Sequence, residues 1–104
     1  MINNTFRENL IKQASELSDE LPLIRDRIED IITVDNIVYV DNLIDKTYYL
    51  EKILDNTLGV LCDKGPIKHN DLTAISHDLD LLGKFIETLT DTSIFLAEAK
   101  KSDS

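Results

Sequence analysis

Along the last third of the chain, large apolar residues return after three positions and then after four. The series is Leu72, Ile75, Leu79, Leu82, Ile86, Leu89, Ser93 and Leu96, and Ser93 alone interrupts it. A mean spacing of 3.5 residues places these side chains along one seam of a helix, which must be buried against a neighbour. Asn70 or Asp71 suits the N-cap, and Lys100 and Lys101 suit the negative end of the helix dipole. The first third carries its own seam: Leu10, Ala14, Leu17, Leu21, Ile24, Ile28 and Ile31, with Phe6 one turn earlier. Pro22 sits inside it. A proline removes one helical hydrogen bond and crowds the preceding turn, so the pattern predicts a first helix over 4–33 with a kink or break near Pro22.

The middle third reads Val40, Leu43, Thr47, Leu50, Leu54, Thr57 and Leu61 in the same 3,4 rhythm, weakened by two threonines. It predicts a helix over 36–62 capped by Asp35. A competing pattern covers the preceding connection. Ile31-Ile32-Thr33-Val34, Asp35-Asn36 and Ile37-Val38-Tyr39-Val40 also read as two short strands around a two-residue turn. Asp63-Lys64-Gly65-Pro66 combines a helix-ending glycine with a proline that cannot continue the helix, so a loop runs to about His69. The third helix is expected over 70–100. Short loops make sequence neighbours antiparallel. The expected fold is all-α, a single domain over 1–104 forming an up-down-up antiparallel three-helix bundle of coiled-coil character. A break at Pro22 would give a compact four-helix bundle instead.

Some apolar residues fall off the seams. Leu81, Phe85 and Phe95 form a partial second stripe on the third helix; Ile44 with Tyr48, and Tyr49 with Ile53 and Val60, do so on the second. A three-helix core uses three or four apolar positions per heptad, which absorbs most of this surplus. The alternative is a face that pairs with a second copy or a partner, since contiguous exposed apolar patches mark interaction sites. Adjacent helical residues point about 100° apart, so Tyr48 and Tyr49 serve different surroundings. Tyr49, Ile53, Leu81, Phe85 and Phe95 are the candidate partner-binding residues.

Charge narrows the partner. The chain has 11 basic and 20 acidic residues in 104, a formal charge of −9. The acidity is spread evenly, with −3 in residues 1–33, −2 in 34–69 and −4 in 70–104. Phosphate backbones are bound by clustered Lys and Arg, so free nucleic acid is excluded and a basic protein surface is favoured. No apolar run approaches the roughly 20 residues of a membrane helix, so no membrane partner is expected. Met1 to Leu10 lack the basic start and apolar core of a secretion signal. With a single cysteine, Cys62, this points to a cytoplasmic setting.

Catalytic and metal-binding patterns are sparse. Gly59, Gly65 and Gly83 are too dispersed for a phosphate loop. His69 and His77 are eight apart, and His77 with Asp80 offers two ligands where a metal needs more. Cys62 lacks an evident base. No metal, cofactor or catalytic residue is expected. The string His77-Asp78-Leu79-Asp80-Leu81 is similar to the His-x-Leu-Lys-Gly motif of histidine phosphotransfer domains, which are helical bundles of comparable length. The resemblance covers the His and the Leu, and it implies His77 as phosphoryl acceptor. Asp80 and Leu81 stand where that family has Lys and Gly, so a carboxylate that repels phosphate replaces a cation.

Small, acidic, cysteine-poor helical bundles resemble several stoichiometric binders: bacteriocin immunity proteins, antitoxins, phage-encoded enzyme inhibitors and assembly chaperones. The abundance of Ile and Asn matches AT-rich coding DNA, as in many phages and low-GC bacteria. The expected function is a non-enzymatic protein-binding module, an inhibitor-, immunity- or chaperone-type partner of a basic protein. The alternatives are a self-assembling structural protein that forms at least a homodimer, and phosphotransfer through His77.

Overall fold

Three helices form where the three seams run: α1 (Ile2–Glu29), α2 (Ile37–Cys62) and α3 (His69–Asp103). The computed structural model describes residues 2–33, 35–63 and 65–103, with side chains described over 5–33, 35–63 and 65–101. The protein is a rod 57 Å long and 17–18 Å across between Cα atoms. Each seam is buried: Leu10, Ala14, Leu21, Ile24 and Ile28 of α1, Val40, Leu43, Leu50, Leu54 and Leu61 of α2, and Leu72, Leu79, Ile86 and Leu89 of α3 form one core.

Cross-helix hydrogen bonds fix the topology. Arg7 reaches the end of α2 and Arg25 its middle, so α1 and α2 are antiparallel. Gln13 meets Asp80, Arg27 meets Ser93 and Lys100 meets Asp30, so α1 and α3 are parallel. This is the up-down-up bundle.

α1 runs unbroken through Pro22. The four-helix alternative is thereby overturned: Leu21 and Ile24, on either side of the proline, are both buried, and that burial holds the helix together across the missing hydrogen bond. Pro22→Ala restores an N–H donor for the Ser18 carbonyl. It is expected to raise the unfolding free energy by about 1–3 kcal/mol, measured by urea titration; a decrease would show that the proline geometry is needed for packing.

The 31–40 hairpin does not form. No strand occurs among the described residues, and Ile37 to Val40 open α2; Val34 lies outside the described residues. α1 ends at Glu29 rather than near 33, because Ile31 and Ile32 bond to carbonyls three residues back and tighten the last turn. Asn36, not Asp35, is the N-cap of α2. Its Oδ1 accepts from the Thr33 N–H at 2.7 Å, its own N–H donates to Thr33 Oγ1, and its Nδ2 donates to the Ile31 carbonyl at 3.1 Å. One amide thus ties the α1–α2 turn together.

Two helix ends are closed by cations from other helices. The described glycines all have negative φ, so Gly65 is not a left-handed cap. Instead Asp63 turns extended, and Arg7 of α1 donates to the carbonyls of Leu61 at 2.5 Å, Gly65 at 2.9 Å, and Asp63. Lys100 donates to the Asp30 carbonyl at 2.8 Å, serving the end of α1 as well as the dipole of its own helix. α3 begins at His69, and the Lys68 carbonyl accepts the N–H groups of Asp71 and Leu72, so neither Asn70 nor Asp71 is its N-cap.

The polar interruptions of the seams are buried and partnered. Thr47 and Ser93 are fully buried. Thr47 donates to the Ile44 carbonyl and accepts from Arg25; Ser93 donates to the Thr90 carbonyl and accepts from Arg27. Two arginines of α1, two residues apart, therefore pin the registers of α2 and α3, as single polar seam residues do in coiled coils. Arg25 also forms a two-pronged pair with Glu51 at 3.0 and 3.4 Å and lies 4.0 Å from the Tyr48 ring centroid. The bond to Glu51 raises the guanidinium pKa above its ordinary value, against the opposing effect of burial.

α1 packs along both other helices, whereas α2 and α3 barely meet. Side-chain size accounts for this. The flank of α3 turned to α1 carries Ser76, Gly83, Thr90 and Ala97, which permit close approach. The opposite flank carries Leu81 and Phe85, and its counterpart on α2 carries Tyr49 and Ile53. A Cβ on Gly83 would sit 3.7 Å from Leu17 Cδ2, an ordinary contact. Gly83→Ala is therefore expected to stabilise by about 0.5–1 kcal/mol from helix propensity. A calorimetric scan showing a lower Tm for this variant would mean that the α1–α3 spacing tolerates no methyl group.

Candidate functional site

The gap between α2 and α3 is a groove of about 430 Å³. Lys46, Tyr49, Leu50, Ile53 and Thr57 line it from α2, and Asp78, Leu81, Leu82 and Phe85 from α3. Four of the five residues singled out in the sequence, Tyr49, Ile53, Leu81 and Phe85, meet here from helices that run in opposite directions. Phe95 does not line the cavity. It is 69% exposed and lies ten residues beyond Phe85, about 15 Å further along α3.

The walls follow a second rhythm, one residue ahead of each core seam. On α2 it reads Tyr39, Asn42, Lys46, Tyr49, Ile53, Asn56, Val60; on α3, Asp71, Ala74, Asp78, Leu81, Phe85, Thr88, Thr92, Phe95, Ala99. Both are unbroken 3,4 repeats, so each helix carries two seams side by side. From the second rhythm Lys46, Tyr49, Ile53, Asp78, Leu81 and Phe85 line the groove, and Leu50, Thr57 and Leu82 of the core seams form its remaining lining. Tyr39, Tyr49, Val60, Leu81, Phe85 and Phe95 are each about half exposed or more. Covering the half of each side chain that remains in water would gain roughly 1 kcal/mol apiece.

The two adjacent tyrosines divide as their angular separation requires. Tyr48 lies against Arg25 and helps to hold α2 on α1. Tyr49 turns into the groove. Ile44 and Leu58 of α2 are partly buried against the core. Lys46, Thr57 and Asp78 were missing from the sequence-derived set, because a search for apolar residues off the seam passes over polar ones. The offset 3,4 repeat is the signal that finds Lys46 and Asp78.

His77 lies outside the cavity. It is exposed on α3, and the nearby Asp80 carboxylate accepts a hydrogen bond from Gln13 at 3.1 Å. Its imidazole therefore has carboxylates at positions 78 and 80. Cys62 is exposed at the end of α2. Among the described residues no three His, Cys, Asp or Glu side chains gather as metal ligands, and no helix is long and apolar enough to cross a membrane.

No protein-family model matches this chain, and neither a curated protein nor a solved structure shows significant similarity to it.

Proposed function

We propose that this protein is a non-enzymatic binding module that holds an amphipathic helix of another, basic protein in the groove between α2 and α3. One observation carries the reading: Tyr49 and Ile53 of α2 and Leu81 and Phe85 of α3, spaced at helical intervals, line a gap between two helices that barely meet. Helical walls with this periodicity accept the ridges of a further helix. A helix satisfies its own backbone hydrogen bonds, whereas an extended peptide needs a free sheet edge, and no strand exists among the described residues. The cavity walls span Lys46 to Thr57, about 16 Å of helix, or three turns of an occupant.

The charge of −9 supports a basic partner, since long-range attraction speeds encounter while Tyr49, Ile53, Leu81 and Phe85 supply contact area. Binding would act stoichiometrically, masking the partner's helix as an inhibitor, immunity protein or chaperone does. The chemistry suits a protein working in the cytoplasm of a bacterium or a phage-infected cell.

The test compares the tagged protein with its Phe85→Glu variant for what each retains from a source lysate at low salt. One partner retained by the first, lost by the second and released by salt supports the reading, provided that the segment protected on binding is a helix. Equal retention by both removes the groove from the function. A concentration-dependent dimer abolished by Phe85→Glu assigns the groove to a second copy of this chain instead.

A further inference from the structure

The groove strips hold few charges, and the two walls differ in sign. Lys46 is the one charged position of the α2 strip; Asp71 and Asp78 are those of the α3 strip. Lys46 and Asp78 both line the cavity. They are also displaced along its axis. Lys46 lies sixteen residues before Cys62, the last residue of α2, and Asp78 lies nine residues after His69, the first of α3. Along α1, Asp80 lies beside Gln13 and Thr47 beside Arg25, so Asp78 sits nearer the α2–α3 loop than Lys46 does. Asp71 lies two turns before Asp78, outside the residues that line the cavity.

From this we infer that the groove binds its helix in one direction: the cationic end of the occupant lies toward the α2–α3 loop, over Asp78, and an anionic position lies over Lys46. The inference rests on the helix-docking reading above and adds the polarity of the occupant. Apolar strips alone impose no direction, because a helix turned end for end still presents its stripe to the floor. The charges do. In the matched direction each wall meets an opposite charge; in the reversed direction each meets a like one. Across partly exposed pairs this difference amounts to roughly tenfold in affinity between directions.

Cys62 makes the direction measurable, being the single cysteine of the chain, exposed, and at the loop end of α2. A donor dye is attached there. The probes are two synthetic 18-residue helices with the same leucine stripe, each about 27 Å long and each carrying an acceptor at its N-terminus. One has lysines in its first turns and glutamates in its last; the other has the order reversed. Strong energy transfer from the lysine-first peptide and weak transfer from the glutamate-first peptide is the expected result. The double exchange Lys46→Glu with Asp78→Lys should invert that order. Equal transfer from both bound peptides, or an order that survives the exchange, overturns the directional inference while leaving helix docking in place. Peptides that fail to bind, or that bind Phe85→Glu equally well, overturn both.

Discussion

Leu21→Ala is expected to lower the unfolding free energy by about 3–4 kcal/mol, the middle of the range for emptying a buried leucine site. Leu21 is fully buried in the second half of α1, the helix against which both α2 and α3 pack. Alanine favours the helix slightly more than leucine does, so the whole loss belongs to packing. For a domain of this size the loss is a large share of a stability of roughly 5–10 kcal/mol, and Tm should fall by about 15–25 °C. Chemical denaturation with an unchanged m-value would confirm that packing, and not the unfolded state, is responsible. Leu23 is the control. It is 66% exposed on the same helix, and Leu23→Ala should stay within about 0.5 kcal/mol of the parent. A Leu21→Ala loss below about 1 kcal/mol would contradict the central role of α1.

The second large effect falls on binding and spares the fold. If the proposed helix docking holds, Tyr49→Ala combined with Phe85→Ala should weaken the complex with the docked helix at least 100-fold, equivalent to about 2.7 kcal/mol. Both side chains line the groove from opposite walls while standing 66% and 47% exposed, so their removal opens no cavity in the core. The unfolding midpoint should move by less than the equivalent of about 1 kcal/mol. Titration calorimetry and a urea melt on the same preparation separate the two quantities. Undiminished affinity would exclude the groove as the binding surface. Because both residues face the same gap, the double variant is expected to cost less than the two single losses added together.

The three helices were legible because each seam must be buried to stabilise its helix, and the 3,4 spacing states this residue by residue. What failed was local. Asp35 and Asn36 are both good caps by residue type. The choice fell to Asn36, whose amide bridges Thr33 and Ile31, a pairing that depends on the path of the whole turn. Gly65 looked like a helix stop because glycine tolerates a left-handed cap; the Leu61 carbonyl at the end of the helix is instead taken by Arg7, more than fifty residues away. The hairpin at 31–40 was a real local preference, overridden because Ile31 and Val40 are both buried when the chain turns between helices. At the candidate site, the surplus of Tyr49, Ile53, Leu81 and Phe85 was visible, but their meeting was not. It depends on which flank of α3 carries the small residues and so turns toward α1.

The open seam has a further consequence, for how such a sequence can change over time. α2 and α3 are held by α1 and scarcely by each other. Substitutions at Tyr49, Leu81, Phe85 or Phe95 are thereby released from most of the constraint that burial imposes on Leu54 or Ile86. Selection for a new partner can act on the exposed strip without first drawing on the stability of the rod. The buried seams and the exposed strip are thereby free to change at different rates: substitutions at half-exposed strip positions leave the packing of the core residues intact.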